Sequence, residues 1–129
     1  MDQRIGFIEH RGTRILLIDL SHATAEEILE LLPEIQELVT SEPRDSVLTL
    51  ADFTGGEVRR EVADHIKKTL VFDRPYVKRA AWVGTDHVPR VFMEAFHTFS
   101  RRDFALFQTR EEAMDWLVAD AEVPGNGGS

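Results

Sequence analysis

Short apolar runs rich in β-branched residues alternate along the chain with stretches whose apolar residues recur every three or four positions. That alternation restricts the fold more than any single motif. Ile5-Gly6-Phe7-Ile8 and Ile15-Leu16-Leu17-Ile18 come first, and Arg11-Gly12 between them marks a hairpin turn. The second run has no polar alternation, which predicts a strand covered on both faces. Residues 21–40 then carry Ile28, Leu31, Leu32, Ile35, Leu38 and Val39 on one helical face, with Pro33 predicting a bend near Leu29 to Pro33. Val47-Leu48-Thr49-Leu50-Ala51 is the third predicted strand. Val58, Val62, Ile66 and Leu70 form the stripe of a second helix, and residues 77–84 form a fourth strand. A third helix presents Val88, Phe92, Ala95, Phe96 and Phe99, with Thr85 or Asp86 as its cap and Pro89 in its first turn. Phe104-Ala105-Leu106-Phe107 is the last strand, before a helix presenting Ala113, Trp116 and Leu117. Capping-box spacing occurs three times, at Thr24/Glu27, Thr54/Glu57 and Thr109/Glu112.

A hairpin followed by three helical crossovers implies parallel neighbours joined right-handedly. The expected architecture is α/β, a single domain with a mixed sheet of about five strands and about four helices packed on it. Residues 1–120 are expected to form the domain and residues 121–129 a flexible tail. A length of 129 residues suits one domain.

Composition narrows the function. The formal net charge is −8, which disfavours nucleic acid and anionic membrane surfaces as partners. Cysteine is absent, so disulfides, Cys-ligated zinc and thiol nucleophiles are excluded. No apolar run approaches the ~20 residues of a membrane span, so no membrane insertion is expected, and the cytoplasm is the expected location.

Chemical motifs are sparse. His10, His22, His65, His87 and His97 are scattered, and none forms a His-x-x-x-His pair with a nearby Glu. Ser21-His22 lies close to Asp19 without the nucleophile-elbow pattern, and Ser21 or Thr24 reads better as a helix cap. Gly55-Gly56 lacks the Lys-Ser/Thr of a nucleotide loop. No catalytic residue, metal site or cofactor is expected. Phe92, Phe96, Phe99, Phe104 and Phe107 read as core, or alternatively as the lining of an apolar pocket between the third helix and the sheet. Residues 24–45 hold seven acids and one base, whereas residues 58–79 hold seven bases and three acids. The basic stretch, with Arg59, Arg60, Lys67 and Lys68, suits an acidic surface on a partner or on the acidic helix of a second copy, giving a homodimer.

The order of elements resembles the STAS fold of sulfate transporters and anti-sigma-factor antagonists, and within it the SpoIIAA-like family of small bacterial stand-alone domains. Three stretches carry the resemblance: Arg14-Ile15-Leu16-Leu17-Ile18-Asp19 with the acidic helix after it; Val47-Leu48-Thr49-Leu50-Ala51-Asp52 running into Phe53-Thr54-Gly55; and Arg102-Asp103-Phe104 with Glu111-Glu112-Ala113-Met114-Asp115-Trp116-Leu117. The resemblance implies regulation by protein contact without chemistry, switched by phosphorylation of a hydroxyl in an Asp-Ser-Ser-Gly motif. Asp52-Phe53-Thr54-Gly55 is the matching stretch, so Thr54 is the implied acceptor, although Thr stands for Ser and Phe53 for a small polar residue. The implied partner surface comprises Asp52, Phe53, Gly55, Gly56, Arg59, Arg60 and Lys67. The alternative implied function, through the Sec14-like domains of the same fold group, is a small carrier or sensor of an apolar or lipid-like ligand.

Overall fold

A computed structural model describes residues 4–101 and 104–122; Arg102, Asp103 and residues 123–129 of the expected tail lie outside the described residues. The elements are β1 (Ile5–His10), β2 (Thr13–Asp19), α1 (Ala25–Thr40), β3 (Val47–Asp52), α2 (Arg60–Asp73), β4 (Val77–Val83), α3 (Arg90–Ser100), β5 (Ala105–Phe107) and α4 (Arg110–Glu122). The strands form one sheet in the order β1-β2-β3-β4-β5. β1 pairs antiparallel with β2 through a two-residue turn at Arg11-Gly12, and every later pair is parallel. The expected mixed α/β architecture is the one observed.

The handedness rule explains the layering. Strands β2 to β5 each step in the same direction across the sheet, so right-handed crossovers place α1, α2 and α3 on one face. Helix α4 follows the last strand and closes the other. The period of two along each strand then sorts the core. Leu16, Ile18, Val47, Ala51 and Trp82 point under the three helices, whereas Ile15, Leu48, Leu50, Ala81 and Val83 meet Ala113, Leu117 and Val118 of α4. Strand β3 is central, and all six of its residues are buried.

Several helix starts differ from the sequence expectation. Helix α1 begins at Ala25, with Thr24 as N-cap and both halves of its capping box formed: Glu27 N donates to Thr24 Oγ1 at 3.1 Å, and Thr24 N donates to Glu27 Oε1 at 2.8 Å. It is one helix across Pro33, which lies on its exposed side, where water can serve the carbonyl that proline leaves without a donor. Helix α2 begins at Arg60 after Arg59, which makes no side-chain cap. Thr54 and Glu57 therefore do not cap it. Glu57 instead crosses to α1, where Oε1 accepts from Ala25 N at 2.8 Å. Thr85 and Asp86 do not cap α3 either. Val88 N closes a turn onto Thr85 O at 2.9 Å, and Pro89 is the N-cap of a helix that starts at Arg90.

The phenylalanine set divides between the two faces. Phe104 is stacked between Trp82 and His97, with ring centroids 3.9 Å from each, and Phe96 leans on Trp82. Phe107 packs against Trp116 on the α4 face. These five residues cannot line one pocket, because β5 sends Phe107 through to the opposite side of the sheet.

Candidate functional site

The carboxyl ends of parallel strands form the edge where open α/β sheets hold their functional groups. Here that edge carries two matching turns. Asp19 ends β2 and Asp52 ends β3, and the two are paired in register. In each turn the aspartate closes on the residue two positions ahead. Asp19 Oδ1 accepts from Ser21 N at 3.0 Å and from Ser21 Oγ at 2.6 Å. Asp52 Oδ1 accepts from Thr54 N at 2.9 Å and from Thr54 Oγ1 at 2.7 Å. The residue between is anchored in the core in both cases, Leu20 in one and Phe53 in the other.

Arg110, the first residue of α4, joins the two turns. Its Nε donates to Asp52 Oδ2 at 2.7 Å, and its Nη2 lies 3.1 Å from Asp19 Oδ1. Thr109 precedes the helix, with Glu112 N donating to its hydroxyl at 3.1 Å. A cation in the first turn opposes the helix dipole. The two carboxylates offset that cost and fix the guanidinium. Partial burial works to raise the pKa of Asp52, but the Thr54 hydrogen bonds and Arg110 outweigh it and hold the carboxyl below its ordinary range. The same balance holds Asp19 down: burial raises it, while Ser21 and Arg110 lower it further. Arg110 is raised in turn, since its bonds to Asp52 and Asp19 overcome its own burial.

Backbone bonds zip the turns together. Leu20 N donates to Asp52 O at 2.9 Å, His22 N to Thr54 O at 2.7 Å, and Glu57 N to Ala23 O at 2.9 Å. Glycine is required at two points. Gly55 (φ 67°) lies under the His22 ring, and Gly84 (φ 72°), at the end of β4, lies against Thr54 so closely that a Cβ would collide with its hydroxyl. His87 adds a bond from its ring Nε2 to Gly56 O at 2.8 Å.

The residues expected to form the partner surface are placed unevenly. Thr54, Gly55, Arg59 and Arg60 are exposed. Asp52 is buried, Phe53 packs tilted against Trp82 with centroids 4.7 Å apart, and Gly56 is packed against Leu20 O. Arg59 spans to Glu26 of α1 and to Glu57, each at 3.5 Å, so part of the basic stretch meets the acidic helix of its own chain. Lys67 sits two turns further along α2, paired with Asp64 at 3.2 Å and 5.3 Å from the Phe99 ring centre.

Histidines behave as individuals: His10 bonds Asp115 at 2.8 Å, His65 bonds Glu61 O at 2.9 Å, and His97 stacks on Phe104. Among the described residues no group of three His, Cys, Asp or Glu could hold a metal ion, and no helix is long and apolar enough to cross a membrane. Sequence reasoning missed Arg110. Two signals pointed to it: the repeated Asp-x-Ser/Thr at two strand ends, and a base where the first turn of a helix favours an acid.

An opening hairpin, three helical crossovers between parallel strands and a closing helix on the other face define a STAS-like α/β domain. The family model described as SpoIIAA-like matches residues 17–118, and the chain belongs to that family. A crystal structure of an uncharacterized protein from the DUF3478 family with a SpoIIAA-like fold, from Shewanella loihica PV-4, is similar to it with a TM-score of 0.65 at 19% identity. The alignment covers 88% of this chain and 91% of that one. At that identity the likeness carries the fold alone. No curated protein sequence matches.

Proposed function

We propose that this domain is a non-enzymatic regulatory module, cytoplasmic, which binds another protein through the edge around Thr54 and is switched by phosphorylation of that residue. The observation that carries the reading is the pairing of an exposed Thr54 with a buried carboxylate. Its hydroxyl is held by Asp52, and Asp52 is held by Arg110. Phosphorylation removes the hydroxyl proton that Asp52 accepts and sets nearly two negative charges beside a carboxylate. Arg110, already engaged with both turns, is the cation positioned to turn from Asp52 to the new phosphate. A change at one surface hydroxyl is thereby coupled to the seating of both turns and of α4. The exposed Arg59 and Arg60 extend the contact surface.

What argues against chemistry at this edge is basicity. A carboxylate held below its ordinary pKa by two hydrogen bonds and a guanidinium is a weak proton acceptor near neutrality. The test uses the tagged domain as wild type, Thr54→Val and Thr54→Glu, with partners from the native host identified by mass spectrometry and Thr54 examined for phosphate. A specific protein retained by wild type and Thr54→Val and lost by Thr54→Glu supports the switch. Equal recovery by all three, with no phosphate on Thr54, overturns it.

A further inference from the structure

An apolar cavity of about 80 Å³ lies between α1, α2 and the sheet. Leu32 and Ile35 of α1, Ile66 and Leu70 of α2, and Ala51 and Trp82 of the sheet form much of its wall. The end of α2 supplies a different group. Asp73 borders the cavity, is 6% exposed, and its Oδ1 is buried with no hydrogen-bond partner among the described residues. Such an oxygen is costly to leave unpaired. Burial alone pushes the Asp73 carboxyl up to about 7.

We infer that this cavity is a binding site for a small apolar molecule bearing an ammonium group, with the Asp73 carboxylate as its counter-charge. The inference does not rest on the Thr54 reading, since Asp73 lies at the opposite end of α2 from that turn. Three features select the ligand. The walls are apolar, so its body is hydrocarbon. The orphaned oxygen can only accept when ionised, so the head group donates. Asp73 is the last residue of α2, where the terminal carbonyls gather negative potential, so the head is a cation and not an anion. Thr49 and Thr69 also border the cavity and bring hydroxyl groups to its wall. Arg74 borders it as well but is already engaged in an interaction of its own. Size sets the scale: about 150 Å³ accommodates benzene, so a cavity of about 80 Å³ suits a three- or four-carbon amine and not an acyl chain.

Propylammonium, 1-propanol and propionate form a near-isosteric probe set. Each is titrated into the full chain at matched pH and ionic strength, following the indole N–H of Trp82 and the backbone amides of Ala51, Thr69 and Leu70 by two-dimensional NMR. Saturable shifts at these residues are expected with propylammonium, weaker ones with 1-propanol, and none with propionate. Asp73→Asn should weaken propylammonium about tenfold, or 1.4 kcal/mol, and leave 1-propanol unchanged. Ala51→Leu, which fills the apolar end, should abolish both. No saturable shift at the cavity residues, equal affinity for amine and alcohol, or undiminished amine binding by Asp73→Asn would overturn the site. If Ala51→Leu fails to fold, the Asp73→Asn comparison decides alone.

Discussion

Asp52 and Asp73 are both 6% exposed, and they lie at opposite ends of the same βα unit. Their environments nevertheless act in opposite directions. Asp52 has a backbone amide, a hydroxyl and a guanidinium within hydrogen-bond distance, and its carboxyl is held below the usual range. Asp73 has an oxygen with no hydrogen-bond partner among the described residues, borders an apolar cavity, and is raised to about 7. Burial by itself is therefore not what sets the state of a carboxylate. Desolvation disfavours the charged form in both, and the outcome turns on whether donors compensate it. At the carboxyl ends of the strands the compensation is nearly complete, which gives a rigid, ionised anchor for an exposed threonine. At the end of α2 no donor among the described residues compensates the Asp73 oxygen, so burial favours the neutral carboxyl there.

The largest expected effect tests the uncompensated end. Between the ordinary carboxylate value and about 7, the unfolded chain has lost the Asp73 proton and the folded chain keeps it. The parent's stability should therefore fall as pH rises through that window and level off above it. Asp73→Asn removes this slope, so the variant should gain on the parent by roughly 3 kcal/mol between pH 4 and pH 8. Urea denaturation at both pH values checks it, and a pH-independent difference would show that Asp73 is compensated after all.

Arg110→Met tests the compensated end. It leaves Asp19 and Asp52 without their shared cation and should cost about 2 kcal/mol near neutrality, below the full penalty of a deeply buried pair because the guanidinium is part-exposed. Both carboxyls are lowered in the fold, so the stabilisation is present above the ordinary carboxylate range and is lost as pH falls through the lowered values. The deficit of the variant should shrink in acid, which equilibrium unfolding at a series of pH values reads directly.

Two smaller substitutions rank the turns. Thr54→Val removes one donor to Asp52 and should cost about 1 kcal/mol. Ser21→Ala removes the corresponding donor to the less buried Asp19, leaves the Ser21 backbone bond in place, and should cost roughly 0.5 kcal/mol. Chemical denaturation of the pair in one buffer compares them, and a reversed order would mean that Asp19, not Asp52, is the principal anchor.

The element order and the mixed sheet were legible in the residues alone, because they follow from local periodicity and from the handedness of crossovers; the faces were not, and Phe104 and Phe107, read as one set, lie on opposite sides of the sheet. The sequence also singled out Thr54 as a candidate, since the Asp-x-Thr-Gly stretch is contiguous. Only tertiary structure decided what Thr54 does locally. The capping-box spacing at Thr54 and Glu57 is satisfied in sequence, yet Gly55 and Gly56 must pack against His22 and Leu20, which delays α2 to Arg60 and frees Glu57 to cap α1. Phe53 and Asp52 lie in a turn that reads as surface and are buried, because the ring packs against Trp82 and the carboxylate is roofed by Arg110 from 58 residues away. The cavity beside Asp73 is still less visible from the sequence. A void is set by how α1 and α2 sit on the sheet together, a sum over contacts between residues far apart in the chain, and no local pattern records that sum.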